Sequence, residues 1–135
     1  DEDGKLRVIQ MCDAFHGVIS TLFDDSEASI ERRKIYGKAG CFRPTSYGVE
    51  YRTLSNYWCK TDTLKRLMFH LTDDVLSAVR FNDDRKLISD LGGPDRIQSV
   101  INSGDLASAS EMYYNHIYSR LNKVTIETLW EAFHE

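Results

Sequence analysis

Apolar side chains recur at intervals of three and four residues over most of the chain, which is the spacing of one face of an amphipathic α-helix. The longest such stretch follows a predicted N-cap at Thr61 or Asp62 and predicts a helix to about residue 80. A shorter stretch predicts a helix over residues 5–16, and Gly17 stands where a glycine C-cap would end it. The remaining predicted helices cover residues 84–91, 94–102, 106–121 and 125–133.

Residues 32–59 follow a different pattern, in which aromatic and β-branched residues alternate with polar ones between glycines and a proline. This pattern predicts two β-strands, 35–43 and 48–55, joined by a turn at residues 44–47. Together the elements predict an α+β fold, in which a small antiparallel sheet packs with about five helices.

The two predicted strands set which side chains share a face of the hairpin. Successive residues of a strand point to opposite faces, so Glu50 and Arg52 share one face while Tyr51 takes the other. On the partner strand, Arg43 and Cys41 lie on one face. If the pairing sets Arg43 beside Glu50 and Arg52, two guanidinium groups and one carboxylate project together.

Such a face has the chemistry of a phosphate site. Guanidinium groups bind phosphoryl oxygens with two parallel hydrogen bonds and stay charged. A carboxylate among them is a hard oxygen ligand of the kind that Mg²⁺ prefers. Lys38 lies between Gly37 and Gly40, and these glycines would let the backbone approach a ligand closely.

Structural roles for the same residues stay open at this point. A Glu-x-Arg pair on one strand face is commonly a solvated cross-strand ion pair, worth under ~1 kcal/mol. The run Arg32-Arg33-Lys34 also fits a solvated turn, and Tyr36 and Tyr47 fit packing residues with a polar tip. The histidines lack metal-ligand spacing and are interpreted as core or surface residues: His16, His70, His116 and His134.

Composition limits the classes of function. With 135 residues, 41% of them hydrophobic and 28% charged, the chain fits one globular domain. A net charge of −4 favours neither nucleic acid nor an anionic membrane as a partner, and no apolar run reaches the ~18–20 residues of a membrane helix. Positive charge is nevertheless concentrated in residues 31–52, which hold six basic and two acidic side chains. Three cysteines without a C-x-x-C pair predict reduced thiols and a cytoplasmic location.

Residues 32–58 contain the run R-R-x-x-Y-G-K-A-G-x-F-R, followed by Y-G-x-E-Y-R-x-L-S-N-x-W. This run resembles the phage-encoded COOH–NH2 ligase type 2 proteins, amidoligases of the glutamine synthetase-like superfamily. Weaker similarity occurs at Cys12-Asp13, in the helix after Trp58 and at residues 101–105, so the resemblance spans most of the chain. The fold that it implies is a partial glutamine synthetase-like catalytic domain.

The resemblance implies a ligase that uses ATP and Mg²⁺ to join a carboxylate to an amine through an acyl phosphate. Carried over from the family motif, Glu50 would ligate the metal, and Arg52 and Arg43 would be catalytic residues at the phosphate or substrate. Arg33, Lys38 and Arg43 would bind the phosphate groups of the nucleotide. One departure from the motif is Thr45, where a lysine is expected after the Arg-Pro pair.

Family members are longer than this chain, so the resemblance implies the C-terminal half of a larger amidoligase fold that is inactive alone. Its parts would be a helix and loop at 1–31, a site hairpin at 32–59 and a helical region at 60–135. The expected partners are the carboxylate and amine substrates, peptides or proteins among them, and a second copy in a homodimer formed through an exposed sheet edge.

The alternative hypothesis is a truncated, non-catalytic phage protein that binds and inhibits a host protein. Its contact surface would be the acidic helical region 62–135, and its location the cytoplasm of the infected bacterium.

Overall fold

The computed structural model describes residues 2–24, 26–35 and 37–135, and it has the predicted α+β fold. The α-helices are α1 Glu2–Cys12, α2 Val18–Phe23, α3 Glu27–Ile35, α4 Asp62–Arg80, α5 Asp84–Asp90, α6 Pro94–Ser103, α7 Leu106–Met112 and α8 Lys123–Phe133. Two antiparallel strands, β1 Phe42–Thr45 and β2 Gly48–Tyr51, form a hairpin. Short π-helical turns cover Asp13–Gly17 and Tyr113–Ile117, and 3-10 turns cover Asn56–Cys59 and Tyr118–Arg120.

The N-terminal helix does not end at Gly17, so that part of the prediction is wrong. The chain continues from α1 through the π-helical turn Asp13–Gly17 into α2, and Gly17 has helical dihedrals with φ −66°. A Cβ atom at Gly17 would lie 2.4 Å from Cδ1 of Ile101 on α6. The glycine is therefore needed for the close approach of two helices, and it does not stop the first one.

Helix α3 begins in the loop expected at the end of residues 1–31 and ends inside the segment expected to form the hairpin, and its residues explain why it was missed. Its buried side chains are Ser29 and Arg33, which are polar, so it lacks the apolar stripe that marks the other helices. The sequence analysis located six helical stretches, and this additional helix with the division of the N-terminal helix gives eight α-helical segments in the described ranges, more than the about five helices expected with the sheet.

The hairpin forms as predicted, but its strands are shorter than 35–43 and 48–55. Residues before β1 form a loop, because Gly40 has φ +77° and its backbone N–H donates to Asp13. After β2, Arg32 donates to the carbonyls of Arg52 and Thr53, which would otherwise extend the ladder. Tyr36, inside the first predicted strand, lies outside the described residues.

From Thr61 to the C-terminus, a little over half of the chain, the fold agrees closely with the prediction from sequence. The Thr61 hydroxyl accepts from the backbone N–H of Leu64 and caps α4, which confirms the predicted start. Pro94 occupies the first turn of α6, and Gly104 ends that helix in the left-handed conformation with φ +65°. The predicted helix 106–121 is shorter, since α7 passes into π and 3-10 turns.

One apolar core joins the helices and supports the hairpin. Its fully buried side chains come from the N-terminal helices, α4, α6 and α7, and they include Phe15, Leu67, Leu71, Ile101 and Met112. Helix α4 packs against α1 on one side and α8 on the other, and β2 lies on α1. No helix within residues 2–24, 26–35 and 37–135 combines the length and apolar character that a bilayer-spanning segment needs.

Candidate functional site

The outer face of the hairpin holds Arg43, Glu50 and Arg52, called here the outer triad. The strand register pairs Arg43 with Glu50, and a guanidinium nitrogen of Arg43 lies 2.5 Å from the Glu50 carboxylate. The Nε atom of Arg52 lies 4.0 Å from the other oxygen of Glu50. The structure therefore brings together the three side chains that strand geometry placed on one face.

The outer triad is open to solvent. The side chains of Arg43, Glu50 and Arg52 are 63%, 45% and 55% exposed. Ion pairs this exposed contribute ~0–1 kcal/mol each, so an incoming anion can displace the carboxylate at little energetic cost. The arrangement can thus bind a phosphoryl group between two guanidinium groups, which hold their charge at any physiological pH.

Arg33 and Lys38 are not brought to the outer triad. Arg33 is 3% exposed and donates to the backbone carbonyl of Ile101 at 2.8 Å, and burial lowers its pKa. Lys38 is exposed in the loop before β1, where its carbonyl accepts from the Thr53 hydroxyl. In the run Arg32-Arg33-Lys34, Arg32 and Arg33 therefore bind backbone carbonyls and stabilise the loops that flank the hairpin.

The two glycines around Lys38 serve the fold itself. A Cβ atom at Gly37 would lie 2.1 Å from a guanidinium nitrogen of Arg32. At Gly40 the positive φ directs the backbone N–H toward Asp13. The sequence suggested that a ligand approaches the backbone at these glycines, but in the structure the side chains of Arg32 and Asp13 do so.

The inner face of the hairpin is anchored to the N-terminal helix by Asp13, which sequence reasoning did not single out as a functional residue. The Tyr51 hydroxyl donates to an Asp13 carboxylate oxygen at 2.5 Å, and the Gly40 N–H donates to the same oxygen at 3.0 Å. Asp13 is 2% exposed, and burial raises its pKa to about 6. The signal in the sequence that could have indicated a role for Asp13 is that an acidic residue occurs within the apolar stripe of residues 5–16.

The outer triad fits an anion better than it fits a complete cation site. Glu50 is the one carboxylate of the triad, and both its oxygens face guanidinium groups. Across residues 2–24, 26–35 and 37–135, no group of three His, Cys, Asp or Glu side chains could hold a metal ion. Mg²⁺ in nucleotide sites is commonly held by one or two carboxylates together with phosphate oxygens and water, so Glu50 can supply one such ligand.

A family model described as phage phiEco32-like COOH.NH2 ligase-type 2 matches residues 3–91. The chain belongs to this family. The match covers 89 of the 135 residues and includes Asp13, the whole hairpin and α4, so both faces of the hairpin lie within the matched range. It confirms the resemblance found in residues 32–58, and the family description names a COOH–NH2 ligase.

Searches of curated proteins and of solved structures return no match for the chain.

Proposed function

We propose that this member of the COOH–NH2 ligase family acts, as part of a longer chain, in ATP- and Mg²⁺-dependent joining of a carboxylate to an amine through an acyl phosphate. The observation that carries the proposal is the outer triad, two guanidinium groups on either side of a carboxylate in a family described as ligases. ATP would supply its γ-phosphoryl group to a carboxylate oxygen, with ADP as the leaving group. The amine nitrogen would then form a bond to the carbonyl carbon as the carbon–oxygen bond to phosphate breaks, and the departing phosphate would take up the proton that the amine loses.

In this proposal the chain's own residues bind and orient the phosphoryl group. Arg43 and Arg52 contact its oxygens and balance the negative charge that accumulates during transfer. Lys38 is exposed on the loop before β1 and is not at the outer triad, so the proposal rests on the two arginines. Arg33 does not enter the site, because its guanidinium is bonded to the carbonyl of Ile101.

Glu50 has two roles in the proposal. In the free protein its carboxylate pairs with Arg43 and Arg52 and keeps the guanidinium groups in place. With nucleotide bound, it would be one ligand of Mg²⁺, whose other ligands would be phosphate oxygens, water and groups from other parts of the longer ligase. The carboxylate and amine substrates, including peptides or proteins, would meet at this face.

Calorimetric titration of the chain with ATP tests the guanidinium groups. Arg43→Gln and Arg52→Gln should each weaken ATP binding by roughly tenfold, since each removes a charge-assisted hydrogen bond. Arg85→Gln is the matched control, because it removes the same charge from an exposed position on α5 and should leave ATP affinity unchanged. Equal affinities for all three variants would reject the proposed site.

The variant Glu50→Gln separates the metal role from the pairing role. Without Mg²⁺, it should bind inorganic pyrophosphate more tightly than the wild type, because the competing carboxylate is gone. With Mg²⁺ present, it should lose the increase in ATP affinity that the metal gives the wild type. A Mg²⁺ dependence that survives in Glu50→Gln would show that Glu50 is not a metal ligand.

The alternative, a protein that binds a host protein, is favoured by apolar side chains exposed on the acidic helical region. Phe69 on α4 is 75% exposed and Trp130 on α8 is 63% exposed. This alternative predicts that the double variant Glu50→Gln/Arg52→Ala keeps the full biological effect of the chain in the infected host. The ligase proposal predicts that the double variant abolishes it.

A further inference from the structure

A cleft of about 1060 Å³ lies on the inner side of the hairpin, between α1 and α4. Val8, Cys12 and His16 form one wall, at four-residue intervals along the N-terminal helix, and Met68 and Thr72 lie on α4 opposite them. The hairpin closes the third side. Along β2, Val49 and Tyr51 line the cleft, while Glu50 and Arg52 alternate with them and share the other face with Arg43, so the cleft and the outer triad lie on opposite faces.

The cleft is mainly apolar, and His16 is the exception that indicates a ligand. His16 is 4% exposed, and its Nε2 atom lies 2.9 Å from the Thr72 hydroxyl oxygen. Its other ring nitrogen, Nδ1, is buried and has no hydrogen-bond partner among the described residues. A buried polar atom without a partner is rare and costly in folded proteins, and a group bound in the cleft that His16 lines is one way to supply the missing partner.

The neighbouring hydrogen bonds assign the protonation of the His16 ring. The Thr72 hydroxyl donates its only hydrogen to the carbonyl of Met68 at 2.8 Å, so it must accept from His16 Nε2–H. Burial lowers the pKa of His16 to about 4, so the ring is neutral at neutral pH. With the proton on Nε2, the unpartnered Nδ1 holds a lone pair and can only accept a hydrogen bond.

The surroundings of that lone pair define the ligand. The volume is sufficient for a small molecule, since ligand sites usually measure ~300–1,000 Å³. Trp58 and Tyr51 provide aromatic surface, and Met68 provides a polarisable sulfur that packs well against rings. We propose that the cleft binds a small aromatic molecule that donates one N–H or O–H hydrogen bond to His16 Nδ1. This site is independent of the proposed ligase chemistry.

Two probes of nearly equal shape test the hydrogen bond. Indole carries an N–H donor, and benzofuran replaces that group with an ether oxygen. In titrations followed by ¹H–¹⁵N spectra of the chain, indole should bind with perturbations centred on Val8, Trp58 and Thr72. The ratio of indole to benzofuran affinity should be roughly three to tenfold larger in the wild type than in His16→Phe, the range expected for one net hydrogen bond.

A second readout keeps the test valid if His16→Phe does not fold. In the wild type, the ¹⁵N resonance of His16 Nδ1 should shift on addition of indole and stay in place on addition of benzofuran. Met68→Trp, which fills the cleft and leaves His16 intact, should abolish binding of both probes. Equal responses of the Nδ1 resonance to the two probes, an unchanged affinity ratio in His16→Phe, or perturbations confined to residues outside the cleft would overturn the proposal.

Discussion

The substitution Asp13→Asn tests the anchor of the hairpin. Asn keeps an oxygen that can accept from the Tyr51 hydroxyl and the Gly40 N–H, so the geometry of the anchor is retained. What the substitution removes is the ability to carry a negative charge in a position that is 2% exposed. The variant therefore isolates the free energy of ionising a buried carboxyl group.

The magnitude follows from the pKa of Asp13. Burial raises it from 3.8 to about 6, against the opposing hydrogen bonds from Tyr51 and Gly40. Because the folded-state pKa is the higher one, the contribution to stability is fully present below pH 3.8 and is lost as the pH rises through about 6. A shift of two pKa units corresponds to about 3 kcal/mol of unfolding free energy.

Urea unfolding followed by circular dichroism measures the effect at pH 4 and at pH 7.5. Relative to the wild type, Asp13→Asn should gain about 2.5 kcal/mol between the two pH values, because a small part of the full effect is already lost at pH 4. Taking the difference between the two proteins matters because His16 acts in the opposite sense. Burial lowers the pKa of His16 to about 4, so the contribution of His16 to the unfolding free energy is present above pH 6.5 and is lost as the pH falls through about 4. A pH-independent difference, or one that shrinks as the pH rises, would refute the reasoning.

Three other predictions concern the fold around the site. Arg33→Met should destabilise the chain by ~1–3 kcal/mol, because it removes a buried charge-assisted hydrogen bond and leaves the Ile101 carbonyl with only the Gly104 N–H as a donor among the described residues, whereas Arg43→Met at the exposed triad should change the unfolding free energy by less than ~1 kcal/mol. Urea unfolding measures both variants, and equal losses of unfolding free energy would contradict a structural role for Arg33 that Arg43 does not share. Gly17→Ala should lower the thermal midpoint, since overpacking against Ile101 costs ~1–3 kcal/mol and outweighs the ~1 kcal/mol gain in helix propensity. Both hairpin edges lack a strand neighbour among the described residues, so we expect a concentration-dependent dimer in light scattering; a monomer whose hairpin amides exchange slowly would contradict this expectation.

The parts of the fold that were predicted from sequence are those determined by local patterns. Helix α4 has both a long apolar stripe and a Thr61 cap, and the hairpin has alternating side chains around a turn at Ser46 and Tyr47. The shared face of Glu50 and Arg52 followed from the same alternation, whereas the position of Arg43 beside them depended on a register that the sequence left conditional and that the two-residue loop between β1 and β2 sets.

The parts that were missed depend on contacts between distant segments. The hydrogen bond from Tyr51 to Asp13 spans 38 residues, and the one from Arg33 to the Ile101 carbonyl spans 68. Local pattern carries no information about such pairs, and an arginine among other basic residues resembles a surface residue. For the same reason Gly17 was interpreted as a helix end, although its neighbour on α6 determines its role.

If the outer triad binds anions as proposed, the carboxylate at its centre would make this surface selective for anion valency. Glu50 is tethered between Arg43 and Arg52, so it acts as a built-in competitor at a high effective concentration. Chloride and other monovalent ions offer no gain over a carboxylate that is already in place. An anion must present several negatively charged oxygens at once to occupy both guanidinium groups, which favours polyphosphate chains over simple salts.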